Sequence, residues 1–342
     1  MTKPRLAIIG CGFWSHYQTA AWKELDDKVE IVALCDKDLN KAKTQAEHFG
    51  IRRIYNDAGE LLKNEKFDLV DIITDVDSHA SLVKIFADYG KAIICQKPMG
   101  PSYSIAEEMV RYCRNKNVRF FIHENFRWQK PIRLLKKLIN DGLIGKPFKS
   151  NIKFCSSFPV FDNQPFLAEL EQFILTDVGT HILDIARFLF GEVDSLYCQT
   201  HRINPMIRGE DVANVFMKHL GGVHCYAEMS YASILENEAF PQTFILVEGE
   251  HGSLHLGPEY QIHCTTKGET VNYEATPDVF GWSLPDYALI HTSIYECNLN
   301  ILEDLLGKGK AETTGEDNLK TVKLVFDAYD SAAENRVIQL DL

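Results

Sequence analysis

The feature that most constrains this chain is an alternation: across residues 5–126, short β-branched runs give way repeatedly to longer stretches whose apolar residues stand three and four apart. Strands separated by helical segments of that length are joined by crossovers, so they run parallel and the helices cover both faces of their sheet. Strands are predicted at residues 6–9, 30–35, 69–74, 92–95 and 119–123, with a weaker one at 53–55. The helical stretches are amphipathic; in residues 102–116, Ile105, Met109, Val110 and Cys113 share one face. Residues 1–123 therefore read as a doubly wound α/β domain.

After Glu124 the rhythm changes. A helix is predicted at residues 131–141, stopped by Gly142, then a strand, an irregular Phe- and Pro-rich stretch at 156–166, and a helix at 178–190. Strands at 193–202, 212–218, 223–231, 243–247, 253–256 and 260–265 follow with no helix between them. Turns such as Gly221-Gly222 and Glu250-His251-Gly252 make their sheet antiparallel. Amphipathic helices at 287–306 and 317–334 close the chain. Residues 124–342 thus form a second, α+β domain with an open, largely antiparallel sheet, and 342 residues suffice for two cores.

Charge and cysteine usage exclude several roles. The 36 basic and 48 acidic residues leave a net charge of -12, with no sustained Lys/Arg run to track phosphates, so nucleic acid is not an expected partner. Nine cysteines are scattered without a CxxC pair, as reduced thiols of a cytoplasmic protein are, and no metal site is expected. The opening MTKPRLAIIGCG enters an apolar strand without a signal-peptide core, and no apolar run approaches about 20 residues, so no membrane partner is expected.

The first strand runs into Gly10-Cys11-Gly12-Phe13-Trp14-Ser15. Such a turn, opening a helix, lets the backbone approach a pyrophosphate whose charge the helix N-terminus holds. Gly10, Gly12, Phe13 and Trp14 are therefore candidate cofactor contacts, with Ser15 in place of a third glycine. Asp36 ends the second strand 26 residues after Gly10, where a carboxylate accepts from a ribose diol and repels a 2′-phosphate. NAD is expected, and the neighbouring Lys37 leaves NADP open. Thr74-Asp75-Val76-Asp77-Ser78-His79 follows the strand at 69–74, where open α/β sheets bind ligands, which adds Thr74, Asp75 and His79 to the cofactor set.

The strand at 92–95 ends in Gln96-Lys97-Pro98, placing a lysine at the same carboxyl edge, where it can orient a substrate oxygen. In Thr176-Asp177-Val178-Gly179-Thr180-His181-Ile182-Leu183-Asp184, residues 177, 181 and 184 fall within about 60° of one helical face. An imidazole there suits proton acceptance, with a carboxylate to fix its tautomer. The same residues also read as an N-cap aspartate, a satisfied histidine and a surface acid. Arg127, Trp128 and His291, with the aromatic stretch 157–172 and residues 282–291, either line a substrate pocket or pack the fold.

Order and spacing of these motifs resemble the glucose-fructose oxidoreductase, inositol dehydrogenase and rhizopine catabolism (Gfo/Idh/MocA) family over nearly the full length. The resemblance rests on the Gly10 to Ser15 turn, Lys97-Pro98, Asn125-Phe126-Arg127, Ile144-Gly145-Lys146-Pro147 and Asp177 to Asp184. It implies a Rossmann domain followed by an open-faced α/β domain that makes oligomer contacts, and so a homodimer or homotetramer. It implies Lys97, Asp177 and His181 as the catalytic set, Gln96 and Asn125 near the cofactor, and a sugar, inositol or related polyol oxidised with NAD(P). Gln96 departs from the family's usual glutamate and Asp75 from its usual proline. Residues 312–321 and Gly209-Glu210-Asp211 are similar to an apiose dehydrogenase-like branch. An NAD-dependent glycosidase on the same fold, or a non-enzymatic sugar or dinucleotide sensor, are the competing expectations.

Overall fold

A computed structural model describes residues 3–340. The first two and last two residues, which belong to the opening segment and to the ranges 1–123 and 124–342 above, lie outside the described residues. Packing divides the chain into two compact units. One runs up to Asn125 and includes Phe280–Leu284 and His291–Val322; the other comprises Phe126–Val279, Pro285–Ile290 and the chain from Lys323 onward.

In the first unit, β1 (Arg5–Ile9), α1 (Phe13–Lys23), β2 (Glu30–Cys35), α2 (Leu39–Phe49), β3 (Ile54–Tyr55), α3 (Ala58–Asn64), β4 (Leu69–Ile72), α4 (Val76–Asp88), β5 (Ala92–Gln96), α5 (Tyr103–Asn115) and β6 (Phe120–His123) follow in strict alternation. The six strands are all parallel, in the order β3-β2-β1-β4-β5-β6. Every residue of β4 and β6 is buried, as a strand covered by helices on both faces requires. This is the expected Rossmann arrangement, whose ligand edge lies outside the carboxyl ends of β1, β2, β4 and β5.

The second unit opens with α6 (Lys130–Asn140) and β7 (Pro147–Cys155), then a short α7 (Val160–Asn163) and α8 (Thr180–Phe190). Its strands β8 (Val193–His201), β9 (Val212–His219), β10 (His224–Ser230), β11 (Phe244–Gly249), β12 (Gly252–Leu256), β13 (Gln261–Thr266) and β14 (Glu269–Glu274) follow. α9 (Ala288–Leu305), α10 (Gly315–Glu334) and β15 (Ile338–Gln339) end the described chain. The nine-stranded sheet has the order β14-β13-β12-β11-β7-β10-β9-β8-β15. It is antiparallel except where β10 runs parallel to β7, because hairpins join most neighbours while the path from β7 to β10 is long. Alternating burial along β9 leaves one face on the core and the other exposed.

Three departures from the sequence reading have physical causes. β14 carries no apolar period because its residues are nearly all exposed; its hairpin is set by Lys267 and Gly268, with φ of 52° and 83°. β15 and α7 are too short to show a pattern. The helix expected at 178–190 begins earlier, as a π turn over Leu175–Gly179 that runs into α8.

Candidate active site

At the carboxyl end of β1, Gly10 has φ +94°, and a Cβ on it would stand 2.2 Å from the Ile73 carbonyl oxygen, so no other residue fits. Gly12 differs: nothing lies within 4 Å of where its Cβ would be, and it caps α1 with no side-chain bond. The first N–H groups of this 11-residue helix receive no side-chain cap from the N-cap residue, which fits an anion such as a pyrophosphate. Phe13 beside it is 53% exposed, and the half-buried Trp14 has an indole N–H that meets no acceptor among the described residues. Ser15 is fully buried and its hydroxyl accepts from Gln45 Nε2 at 3.0 Å, which is how a serine is accommodated where α1 packs on α2.

Asp36 is fixed by two backbone groups: Oδ2 accepts from Cys11 N–H at 2.7 Å and Oδ1 from Asp38 N–H at 2.8 Å. Its carboxylate is thereby tied to the glycine turn, the geometry that suits a ribose diol. At the end of β4, Ser78 donates to Thr74 Oγ1 at 2.7 Å, and Asp75 is exposed at the start of α4 without capping it. His79 is 1% exposed; Nε2 lies 3.0 Å from the Thr74 carbonyl oxygen, and Nδ1 lies 3.1 and 3.3 Å from those of Pro98 and Met99. Its ring bridges the loops after β4 and β5, and burial lowers its pKa against the pull of those carbonyls.

Lys97 is half-buried at the end of β5, before a cis peptide to Pro98, and its N–H donates to Gln96 Oε1 at 3.3 Å. Asn125 is buried and donates to Ser293 Oγ at 2.7 Å. His291 is also buried, its ring stacked on Tyr17 with centroids 4.6 Å apart. Its Nδ1 accepts from Leu284 N–H at 3.2 Å, which puts the proton on Nε2. Burial, then His16, pushes its pKa down to about 4, so the ring is neutral near pH 7.

In the second unit, Asp177 lies on the π turn and His181 on the first turn of α8. Tyr231 Oη donates to Asp177 Oδ2 at 3.3 Å, and burial, then the Asp177 carboxylate, hold that phenol well above its usual pKa, so it remains a donor. His181 is 5% exposed and stacks on Phe126 with centroids 3.8 Å apart and planes 5° from parallel. Asp184 is fully buried, not at the surface. It takes Arg127 as a fork, Nε to Oδ2 at 2.7 Å and Nη2 to Oδ1 at 2.5 Å, with Arg187 3.9 Å away. Trp128 is 8% exposed under the Arg133 guanidinium, 4.3 Å from its ring. Of the aromatic stretch, Phe158 stacks on Phe240 at 3.9 Å and Phe161 packs on Phe173, whereas Phe166 is exposed.

Lys97 thus belongs to the first unit, and Asp177 and His181 to the second, where they occupy successive turns. The structure gives places to residues outside the expected site set. Glu210 accepts from the N–H groups of Phe173 and Leu175, and from Tyr329 Oη at 2.5 Å, anchoring the π turn from outside. Its signal in the sequence is the Gly209-Glu210-Asp211 step. Asp71, Gln18 and Trp22 form a buried cluster next to Gln96, signalled by a carboxylate inside the apolar run of β4. Among the described residues no three His, Cys, Asp or Glu side chains gather as a metal site, and no helix is long and apolar enough to cross a membrane.

Comparison with known proteins adds to this geometry. An oxidoreductase-family model described as an NAD-binding Rossmann fold matches residues 4–124, and the GFO/IDH/MocA C-terminal domain model matches residues 132–255. The chain is 41% identical over 340 residues to a D-apiose dehydrogenase of Rhizobium rhizogenes, covering 99% of this chain and 98% of that one. It is 42% identical over 334 residues to a D-apiose dehydrogenase of Paraburkholderia graminis, covering 98% and 89%. Among solved structures, an oxidoreductase from Agrobacterium radiobacter in complex with NAD+, L-tartaric acid and magnesium superposes with a TM-score of 0.96 at 41% identity, covering 99% and 98%. A levoglucosan dehydrogenase shares the fold, with a TM-score of 0.87 at 17% identity.

Proposed function

Because the chain belongs to the Gfo/Idh/MocA oxidoreductase family, we propose that this NAD-dependent dehydrogenase of CH–OH groups oxidises D-apiose or a closely similar sugar. The observation that carries the substrate assignment is 41% identity to a D-apiose dehydrogenase across 99% of the chain. NAD is the cofactor, as the match to an NAD-binding fold and the Asp36 carboxylate both favour. Residues 1–123 are assigned to cofactor binding, and 124–342 to substrate binding and oligomer contacts, in a cytoplasmic homodimer or homotetramer.

When bound, NAD supplies a hydride acceptor. The backbone of Gly10 and Gly12 and the α1 N-terminus hold its pyrophosphate, Asp36 its ribose diol, and Phe13, Trp14, Thr74, Asp75, Gln96 and Asn125 complete the cofactor's surroundings. His79 acts one layer back, fixing the loops that carry Thr74 and Lys97, since its ring nitrogens already face carbonyls. Lys97 donates to the reacting substrate oxygen. His181 takes the hydroxyl proton, its ring held face to face with Phe126. Asp177, ordered by Tyr231, orients the imidazole or a neighbouring hydroxyl. His291 and Trp128 border the substrate, while Arg127, committed to Asp184, holds α8 in place.

The test is a spectrophotometric screen of D-apiose, other aldoses, inositols and polyols with NAD and NADP in parallel. NADH should accumulate in proportion to sugar consumed, with D-apiose among the best substrates. Absence of turnover with every sugar, or glycoside cleavage with the cofactor returned unchanged, would overturn the assignment.

A further inference from the structure

The first unit contains a buried chain of polar side chains that ends at the lysine assigned to catalysis. Asp71 sits in the middle of β4, fully buried, and Oδ2 accepts from Trp22 Nε1 at 2.8 Å and from Gln18 Nε2 at 2.6 Å. Gln18 Oε1 in turn accepts from Gln96 Nε2, and Gln96 Oε1 accepts from the Lys97 N–H at 3.3 Å. Gln18 is fully buried and Gln96 is 7% exposed, so water does not interrupt the chain.

An amide can point either way, whereas an ionised carboxylate only accepts and an indole N–H only donates. At pH 8, above the value near 7 to which burial raises its pKa, Asp71 is mainly ionised, and pinned by the Trp22 donor it decides the direction of everything downstream. Gln18 must turn its NH2 toward Asp71, which leaves its oxygen facing position 96. The residue at 96 must then offer a donor inward and an acceptor outward, which glutamine does and an ionised glutamate does not. We propose that Asp71 and Gln18 form a one-way relay that orients the Gln96 amide at the lysine loop, and that this relay is why position 96 requires glutamine where a carboxylate would otherwise serve. Asp71 and Gln18 are positioning residues, since they act through Gln96 on the Lys97 backbone.

A glutamate at 96 would set a carboxylate oxygen against Gln18 Oε1 while the Gln18 NH2 is committed to Asp71. An asparagine at 71 removes that conflict. Its oxygen keeps the Trp22 N–H at the Oδ2 position, its NH2 takes the Oδ1 position, which meets no partner among the described residues, and Gln18 shifts its oxygen onto that NH2, freeing its own NH2 for the carboxylate introduced at position 96. The proposal rests on Lys97 being the catalytic lysine, and the experiment separates the two claims.

Gln96→Glu, Asp71→Asn and the double variant are compared at pH 8, in the cofactor-free protein and in turnover. Gln96→Glu should lower kcat about tenfold or more and lower the cofactor-free melting midpoint; the double variant should recover most of both. In nitrogen-proton spectra of the cofactor-free protein, the Gln18 side-chain amide and Trp22 indole signals should move together in the double variant, as a reversed relay requires. Where Gln96→Glu does not fold, recovery of folding by Asp71→Asn supports the relay and continued misfolding overturns it. A Gln96→Glu enzyme as active and stable as the original, or a double variant no better than Gln96→Glu, overturns the relay. Retained turnover in Lys97→Ala instead overturns the catalytic reading and leaves the coupling of the two positions in the cofactor-free protein to be judged by itself.

Discussion

The Arg127–Asp184 fork allows structure and substrate binding to be told apart by one substitution, Asp184→Asn. Both partners are buried, Arg127 at 5% and Asp184 at 0% exposure, and the fork makes two charge-assisted bonds. Removing one member of a buried pair leaves the other charge uncompensated and costs about 3–5 kcal/mol. Asparagine keeps one oxygen able to accept from the guanidinium, which returns about 1 kcal/mol. Arg187 retains Glu192, at 3.0 Å, so the loss falls on the Arg127 fork. The expected loss is therefore about 2–4 kcal/mol, read as a lower urea midpoint for the second unit at unchanged slope. Turnover well below the unfolding transition should fall only modestly. Arg127→Met combined with Asp184→Leu should lose less stability than Asp184→Leu alone, because no orphan charge remains. A loss below about 1 kcal/mol for Asp184→Asn, or an Arg127→Met enzyme of normal stability with a strongly raised KM for sugar, would refute this and return Arg127 to the substrate.

Three further outcomes are expected. Lys97→Ala and His181→Ala should each cut kcat by about 10²–10⁴-fold while calorimetry finds NAD affinity nearly unchanged; full activity in either would remove it from the catalytic set. Gly10→Ala should weaken NAD binding at least tenfold or so and lower the melting midpoint, since it adds φ strain and a contact at 2.2 Å; a normal dissociation constant would count against the pyrophosphate assignment. Burial raises the Asp71 pKa from 3.8 to about 7, opposed in part by Trp22 and Gln18. The folded state then holds a proton that the unfolded state releases, so this group's stabilisation is complete below about pH 4 and is lost as pH rises to about 7, some 4 kcal/mol in all. The stability difference between the wild type and Asp71→Asn should follow that slope, and a difference flat from about pH 4 to 8 would show that Asp71 titrates normally.

What the sequence reveals depends on how far each structural cause extends along the chain. The parallel sheet is legible because β-branched runs and amphipathic stretches alternate over more than a hundred residues. The glycine turn is legible because one backbone conformation demands glycine at Gly10. β14 is hidden, since an exposed hairpin strand has no buried face to impose a period and is fixed instead by two positive-φ residues at its turn. The π turn at Leu175–Gly179 is hidden for another reason: its anchor, Glu210, lies some thirty residues downstream, in the loop between β8 and β9.

Buried carboxylates mark the limit most clearly. Asp71 and Asp184 are both fully buried, yet one interrupts an apolar strand and the other sits three residues after the histidine assigned as proton acceptor. From sequence, Asp184 reads as either a partner of His181 or a surface acid, and the structure buries it. Its charge is matched by Arg127, a residue 57 positions away that by itself reads as a substrate contact. Asp71 carries no motif at all, but its neighbours Gln18 and Trp22 stand four apart on α1, one helical turn, so both reach the same oxygen. A buried acid must find donors, and those donors then lose their freedom to point elsewhere. Through that loss of freedom a residue that never meets substrate can dictate which side chain is tolerated beside the lysine assigned to catalysis, and in the proposed relay the glutamine at position 96 is a consequence of Asp71 and Gln18 rather than an isolated change.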